Sequence, residues 1–395
     1  MQSSIGKCSL ALIAICGGIT AANATVIYRG GGTYTVHTRT NDNVEVIEGT
    51  SVEMRSGAAV TGVASSNPPD FQGAVKIRQG SLDLVGNARI NAGLNANAIN
   101  SVGSSVVHLK DHSRVNGGIA NMMPSSQWHS EASSSRLYMS DRAIVTGNIQ
   151  HAGYLRIEDQ ATVLGNIRDT GSYRLDMMGG AIAGTVNMHG INGYILNMEG
   201  GAILGGVDAS NSWGVDLAMS GGYIGNGLRV EGIASVNGEI RGGQIDGGIS
   251  IDTPYSILGG PSSHLTISGG RFNAALDGWL LNFSDAYADS SSDYSELSIW
   301  GGQFGYQDAG LGFFIDYLVN FDIHGRDLQY TNGWLSGYLL DGSWINSSLT
   351  FGSDYGGRFT IHNVPEPGTL GLLLASLAGV GLVRRRRASA ATPQA

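Results

Sequence analysis

The chain has 395 residues, of which 61 are glycine and 8 are proline, with 42% hydrophobic residues, 14% charged residues and a formal net charge of −9. The ordinary apolar content and the low charge density exclude an intrinsically disordered chain, and the acidic balance argues against a nucleic-acid partner. The abundance of glycine predicts many tight turns between short strands.

Residues 1–24 have the pattern of a secretory signal peptide. Lys7 supplies the positive charge and is followed by a mostly apolar run. Ala22 and Ala24 form an A-x-A cleavage site, which predicts Thr25 as the mature N-terminus. We therefore expect a signal helix and export through the Sec machinery. Because both cysteines lie in this segment, the mature protein would have no disulfide and no thiol chemistry.

Residues 25–312 are internally self-similar. The segments LYMSDRAIVTGNI from Leu137, LNMEGGAILGGV from Leu196 and LAMSGGYIGNGL from Leu217 share an apolar-x-apolar piece, a short turn and a second apolar piece. Apolar residues alternate with mostly polar ones in the first piece, which indicates a strand with one buried face. The apolar pairs are Val52/Met54, Leu82/Leu84, Val107/Leu109, Leu137/Met139, Leu155/Ile157, Leu175/Met177, Leu196/Met198, Leu217/Met219, Leu265/Ile267 and Leu297/Ile299.

The spacing of the repeat predicts an all-β fold built as a single-stranded parallel β-helix (β-solenoid) of about ten coils. The residue after the turn recurs at steps of about 20 residues, at Ala161, Ala181, Ala202, Tyr223 and Gln244. A propeller blade needs roughly 40 residues, and a sandwich would not repeat in this way. Longer steps predict insertions that project as loops, at residues 65–71, 121–135, 252–263 and 277–296.

Aromatic residues accumulate after Gly312, where the repeat fades. They are Phe313, Phe314, Tyr317, Phe321, Trp334, Tyr338, Trp344, Phe351 and Phe359. We interpret residues 313–363 as a C-terminal β cap that shields the open end of the solenoid. The alternative is an aromatic face on which sugars stack.

The last part of the chain combines a Pro-Glu-Pro triplet, an apolar run and four arginines. Pro365 and Pro367 hold the chain extended. Residues 369–383 carry no charge and would form a helix about 22 Å long, which predicts a transmembrane helix that needs some local thinning of the bilayer. The arginines act as a membrane stop on the cytoplasmic side, and residues 388–395 are expected to be a disordered tail. The four are Arg384, Arg385, Arg386 and Arg387.

Residues 364–387 resemble the PEP-CTERM sorting signal of exported bacterial proteins. The resemblance implies a Gram-negative-type, often exopolysaccharide-producing bacterium. It also implies handling by an exosortase-type membrane protease-transpeptidase, with the chain membrane-bound before processing. The implied recognition residues are Val364, Pro365, Glu366 and Pro367. The segment from Phe321 to Phe351 is also similar to one common before this signal in repeat-bearing members of the group.

No constellation in the sequence predicts a catalytic site, a metal site or a cofactor. A carbohydrate-active β-helix enzyme would need two or three carboxylates converging on one face, and most of the candidate acids stand alone at turns. These candidates are Asp208, Asp216, Asp246, Asp252, Asp285, Asp289 and Asp293. The histidines show no pair at metal-ligand spacing.

These patterns together predict an exported structural or binding protein of the cell envelope, outer surface or extracellular matrix, associated with exopolysaccharide or biofilm and not an enzyme. Two alternatives stay open. One is a β-helix polysaccharide lyase or glycosidase, and the other is an adhesin with a protein ligand.

Overall fold

A computed structural model describes residues 25–62, 73–92, 97–121, 135–150, 153–169, 173–188, 193–210, 212, 214–231, 235–252, 262–273, 279–285, 294–305, 312–353, 355–365 and 376–377. The expected signal helix and nearly all of the expected transmembrane helix lie outside these residues. Ser376 and Leu377 are helical. Among the described residues, no helix has the length and apolar character that a membrane crossing requires.

The described part of the chain contains 37 strands. The first eighteen are β1 (Thr25–Tyr28), β2 (Thr33–Val36), β3 (Arg39–Thr40), β4 (Asn43–Val46), β5 (Ser51–Met54), β6 (Ala59–Thr61), β7 (Gly73–Arg78), β8 (Ser81–Leu84), β9 (Arg89–Asn91), β10 (Asn97–Val102), β11 (Val106–Leu109), β12 (Arg114–Asn116), β13 (Gly118–Asn121), β14 (Arg136–Met139), β15 (Ile144–Val145), β16 (Ile149–Gln150), β17 (Gly153–Ile157) and β18 (Thr162–Val163). The others are β19 (Ile167–Asp169), β20 (Tyr173–Ile182), β21 (Val186–Met188), β22 (Tyr194–Ile203), β23 (Val207–Asp208), β24 (Gly214–Met219), β25 (Tyr223–Ile224), β26 (Leu228–Glu231), β27 (Ser235–Ile240), β28 (Gln244–Asp246), β29 (Ile249–Asp252), β30 (His264–Asn273), β31 (Leu281–Asp285), β32 (Ser295–Phe304), β33 (Phe313–Tyr317), β34 (Val319–Thr331), β35 (Trp334–Leu339), β36 (Trp344–Phe351) and β37 (Phe359–Asn363).

The strands form three stacks, and the chain passes through each stack about once per coil. The first stack runs β1, β4, β7, β10, β13, β16, β19, β21, β23, β26, β29, β31, β33 and β36. The second runs β2, β5, β8, β11, β14, β17, β20, β22, β24, β27, β30, β32, β34 and β37. The third runs β3, β6, β9, β12, β15, β18, the ends of β20 and β22, β25, β28, and the ends of β30 and β32.

Every pairing within these stacks is parallel, so the all-β prediction is confirmed and the strands stack as in a β-solenoid. The first and second stacks each contain fourteen described strands, more than the expected ten coils. One additional coil has Gly238 at an inward position between Leu217 and Leu265, so it lacks the apolar pair by which the sequence pattern is recognised. Leu265 fills this space, because a Cβ on Gly238 would lie 2.8 Å from its Cδ1.

The alternating pattern produces columns of buried side chains along the solenoid axis. In the second stack, Leu137, Leu155 and Leu175 are direct register partners on successive coils. All ten apolar pairs recognised in the sequence are at most 4% exposed. Full burial of one such side chain contributes about 1.5–3 kcal/mol to the stability of the fold. A single coil cannot bury it, because the contacts come from the coils on either side.

The corner between the second and third stacks changes length along the chain. Ala181 pairs with Thr162, not with Ala161, so the predicted alignment at Ala161 is wrong by one residue. The corners from β5–β6 to β17–β18 each contain one residue with positive φ, such as Asp159 at +55°. The later corners contain two glycines, of which the second has positive φ, and are one residue shorter. The alignment from Ala181 through Ala202 and Tyr223 to Gln244 is confirmed.

Each glycine of the Gly-Gly corner has its own physical reason. A Cβ on Gly242 would lie 2.4 Å from the backbone oxygen of Ser220 on the preceding coil, so the close approach of two backbones excludes a side chain. Gly243 has a φ of +88°, which side-chain-bearing residues rarely adopt. The two glycines therefore set the spacing and the direction of the turn.

The parallel stacks continue into the region predicted as a cap. β33 extends the first stack and β34 extends the second, while β35 alone among the described strands pairs antiparallel, with β34 on one side and β36 on the other. β35 therefore covers the edge of β36, the last strand of the first stack. Covering a free edge in this way blocks pairing with another chain.

The close approach at the Gly-Gly corner gives a stability prediction. We expect Gly242→Ala to lower the free energy of unfolding by about 1–3 kcal/mol, because the backbone of the adjacent coil must move. Gly214→Ala is the matched control, since the nearest atom to its Cβ would be 3.7 Å away and the angle φ is not positive. Thermal unfolding followed by circular dichroism measures both. Equal midpoints for the two variants would contradict the proposed packing constraint.

Candidate functional site

The predicted sorting motif begins directly after the last strand. The N–H of Val364 donates to the oxygen of Gly325 at 2.8 Å, so this residue still belongs to the hydrogen-bonded fold. The side chain of Val364 is 43% exposed, and Pro365 is exposed. Proline has no N–H, so strand pairing stops here. Glu366 and Pro367 lie outside the described residues, as do the four arginines and the cleavage-site residues Ala22 and Ala24.

The residue before the motif secures this end of the chain. β34 has an irregular register at Asp327 and Leu328, and Asp327 has a φ of +53°. The amide of Asn363 accepts a hydrogen bond from the N–H of Leu328 at 2.8 Å and donates to its oxygen at 3.0 Å. One side chain thus satisfies both backbone groups of Leu328 and ties β37 to β34. At the other predicted processing point, Thr25 is the first residue of β1.

Exposed rings cover the outer face of the sheet at the same end. Trp300 stacks on His324 with 3.7 Å between ring centroids, and His324 stacks on His362 at 4.3 Å. On the adjacent strands Arg326 lies over the ring of Tyr338 at 5.9 Å, and Tyr338 contacts Trp344 edge-on at 4.8 Å. We call this group the cap aromatic surface, which consists of Trp300, His324, Arg326, Tyr338, Trp344 and His362.

The aromatic residues after Gly312 thus divide between the interior and the surface. Phe313 and Phe321 are fully buried, and Phe351 and Phe359 pack against the core. Trp334 and the two outward rings of β35 and β36 remain exposed. The side chain of Tyr317 lies outside the described residues. The interior group fits the capping interpretation, and the exposed group leaves room for a binding face.

The protonation of His324, which stacks between Trp300 and His362, follows from its burial. Burial lowers the pKa of His324, and the neighbouring His362 lowers it further, whereas Asp322 opposes the shift. His362 contacts Asp322 at 3.0 Å through Nε2. His324 is therefore neutral at pH 7 and stacks on Trp300 as an uncharged ring.

An open depression of about 490 Å³ lies midway along the outer face of the second stack. The small outward side chain of Ala218, in register between Asn197 and Glu239, and the backbone of Gly238 form part of its lining. The remaining lining residues are Asn197, Asp216, Leu217, Asn237, Glu239 and Thr266. Asn237 donates to Asp216 at 3.2 Å. The depression thus presents amides, carboxylates and a hydroxyl on an extended, unobstructed sheet face.

The carboxylate of Glu239 is already paired. Arg241 Nη2 donates to its Oε2 at 2.7 Å, and this hydrogen bond lowers the pKa of Glu239. A general acid in glycoside hydrolysis needs a raised pKa. Glu239 therefore has the electrostatics of a binding residue and not those of a proton donor.

The first stack holds an acidic pair that the sequence analysis missed. Asp252 is the direct register partner of Glu231 on the preceding coil, so it does not stand alone. Burial raises the pKa of Asp252, and the charges of Glu231 and Asp316 add to this effect. Glu231 lies 21 residues before Asp252, which is one step of the repeat, so the spacing could have revealed this pair had glutamates been counted with the aspartates.

The other candidate acids in the described residues are held by local hydrogen bonds. Asp246 accepts from Tyr223, Gln244 and Asn273, and Asp208 accepts from Ser210. Asp289, Asp293 and the side chain of Asp285 lie outside the described residues. Among the residues that the structure describes, no group of three or more His, Cys, Asp or Glu could hold a metal ion.

Asp176 is a buried carboxylate that the sequence did not single out. It is 3% exposed and accepts hydrogen bonds from Tyr154 at 2.7 Å, Arg174 at 2.9 Å and Asn197 at 2.9 Å. Burial favours the neutral acid, but these donors outweigh it and hold the pKa of Asp176 below its usual value. The network joins three successive coils and has a structural role.

Comparison with known proteins identifies the C-terminal segment. A family model described as the PEP-CTERM protein-sorting motif matches residues 363–387. No curated protein and no solved structure matches the chain. The structure defines a β-solenoid-like protein in which the described part of the C-terminal motif, Val364 and Pro365, is exposed directly after the last strand. The match confirms that the motif is a PEP-CTERM sorting signal, which implies processing by an exosortase-type system and export to the cell envelope or surface.

Asp176 and Asp252 give opposite predictions for the same substitution. Asp176 stabilises the fold when ionised, so we expect Asp176→Asn to lower the free energy of unfolding at pH 7 by about 1–3 kcal/mol. That difference is lost as the pH falls below about 4, where the unfolded-state carboxyl is protonated.

Ionised Asp252 destabilises the fold, so Asp252→Asn should raise the unfolding midpoint at pH 7. This gain also disappears below about pH 4, because the carboxyl is then protonated in both states. Thermal unfolding of both variants between pH 3 and pH 8 tests the pair. The assignment of Asp252 would be wrong if its asparagine variant were less stable than the parent at pH 7.

Proposed function

We propose that this protein is a non-enzymatic structural protein of the cell surface or extracellular matrix, sorted by an exosortase and associated with extracellular polysaccharide. The observation that carries the proposal is the PEP-CTERM sorting motif at residues 363–387, which follows the last strand of a long stack of parallel coils. The motif directs the protein to the cell surface, and the coils provide an extended surface for binding.

The hydrogen bonds between coils support a scaffold role. On the outer face of the solenoid, Gly86 N–H donates to Asp111, Asp111 N–H to Asp141 and Asp141 N–H to Asp159, each between register-related turns. Such ladders use polar side chains to join successive coils. An exported chain without disulfides depends on contacts of this kind and on core packing for its stability.

The depression at Asp216 supports polysaccharide as the ligand class. Amides and carboxylates on an open strand face offer hydrogen-bond partners to sugar hydroxyls along the length of a glycan chain. The carboxylate of Asp216 is hydrogen-bonded to the neutral amide of Asn237, so its charge would repel a polyanion, and we propose a neutral polysaccharide. The parallel coils present equivalent positions at about 4.8 Å intervals, which suits a linear polymer.

The sorting role predicts the fate of the C-terminus. Replacing Pro365, Glu366 and Pro367 together with alanine should abolish C-terminal processing in cells that contain the sorting enzyme. Intact-mass analysis of the purified protein then shows a retained C-terminal segment and a membrane-bound form. Thr350→Ala, at an exposed cap position, is the control and should be processed normally. Unchanged processing of the triple variant would remove the role assigned to the motif.

If the depression binds polysaccharide, substitutions confined to the depression should weaken binding. We expect Asp216→Ala combined with Asn237→Ala to weaken binding to the neutral fraction of the producing organism's exopolysaccharide about 30-fold, as two lost hydrogen bonds of roughly 1 kcal/mol each imply. Binding is measured by affinity electrophoresis, with Arg89→Ala as the control.

The same polysaccharide samples test the enzyme alternative, whose supporting observation is the raised pKa of Asp252 beside Glu231. Release of reducing ends by the parent protein, abolished in Asp252→Asn, would replace the structural proposal with a glycosidase.

A further inference from the structure

The short distance between the fold and the apolar segment limits where the cap can be. Val364 is hydrogen-bonded to Gly325, and four residues separate it from Thr369. Even a fully extended chain spans at most about 18 Å over this length. The headgroup layer of a bilayer is about 5–8 Å thick on each side. If residues 369–383 insert into a membrane, which rests on the proposed sorting role, the cap must lie at the membrane surface.

The cap aromatic surface is at the point where the chain leaves the fold. Gly325 pairs with Asn363 on one side and with Leu339 on the other, so β37, β34 and β35 are adjacent strands. At about 4.8 Å per strand, Val364 is roughly 10 Å from β35 and 15 Å from β36. Tyr338 and Trp344 project from those two strands and are 42% and 53% exposed.

The composition of this surface matches a membrane interface. Trp300 and Leu340 are each 41% exposed beside the two rings of β35 and β36, and Arg326 supplies a cation. Tryptophan and tyrosine concentrate at the level of lipid headgroups, where the ring is in an apolar layer and its polar atom is hydrated. The nearby carboxylate of Asp341 is already hydrogen-bonded to the N–H of Gly302 at 2.7 Å.

The ring geometry argues against a sugar platform. A pyranose stacks on an exposed ring face, but Trp300 and His324 lie face to face at an interplanar angle of 10°. His324 in turn covers His362 at 6°. The ring faces that contact one another in this column are therefore closed to a pyranose.

We propose that the cap aromatic surface lies in the headgroup region of the bilayer that the C-terminal segment enters, and that it holds the sorting motif at a fixed height above the membrane until processing. The occupant is a phospholipid surface. The fold is tied to the motif through Asn363, so the position of the cap determines the position of the motif.

The test uses residues 25–395, the chain after removal of the predicted signal peptide, which contains no cysteine. The protein is reconstituted into vesicles of phosphatidylethanolamine and phosphatidylglycerol. A fluorescent label at Asn346→Cys, exposed on β36, reports on the surface through quenching by aqueous iodide. A label at Arg89→Cys on β9, about 50 Å away along the stack, is the matched control. We expect the label at 346 to lose most of its iodide quenching on transfer from detergent to vesicles, and the label at 89 to remain fully quenched.

A second variant separates specific contact from simple tethering. Tyr338→Ser with Trp344→Ser should restore iodide quenching at 346, while the chain still floats with the vesicles and keeps the β-sheet circular dichroism of the parent. Shielding that persists in this variant would overturn the proposal, as would full quenching at 346 in the parent. Shielding only on addition of polysaccharide would overturn it in favour of a glycan. The vesicles contain no sorting enzyme, so failure here leaves the test of sorting unaffected.

Discussion

The in-register contact between successive coils is the interaction on which the structure depends. Each coil provides only a few inward side chains and a set of unpaired backbone groups, and both are satisfied by the coil above and the coil below. The requirement extends to the corners, where Gly242 lies so close to Ser220 that no side chain can be accommodated. Short strands such as Ile144–Val145 and Thr162–Val163 persist because they are bonded on both sides.

The outer face of the solenoid uses polar side chains in two distinct ways. In some places they join coils, as Asp176 does through donors on three coils, or Asn148 and Asn166 do by accepting from backbone N–H groups of the following coil. In other places they remain open to solvent, as in the depression that contains Asp216. A carboxylate is structural when several hydrogen-bond donors surround it and available to a ligand when they do not. Both kinds are aspartates, so the sequence alone does not distinguish them.

Much of the fold could be predicted from the sequence, because alternation and a repeat of about 20 residues are consequences of burial on one face and of stacking. These two patterns were enough to predict the apolar pairs and the alignment from Ala181 to Gln244. The misplacement of Ala161 arose because a corner through Asp159 is one residue longer than a Gly-Gly corner. The pairing of Asp252 with Glu231 follows the 21-residue step of the repeat, so the spacing could have revealed it had glutamates been counted with the aspartates. The outward column from Trp300 to His362 was missed because β35 and β36 lie between His324 and His362, where sequence spacing no longer reports register.

The link between Asn363 and Leu328 has a mechanical consequence. Once the C-terminus is fixed to a surface, a force on the solenoid is transmitted through Val364. It therefore acts on these hydrogen bonds before it acts on any other coil. Among the described strands, β37 pairs with β34 alone, so one row of hydrogen bonds resists the load there. The last coil would therefore detach first, and the remaining coils would unfold one at a time. The protein would then act as an extensible tether that lengthens stepwise under tension.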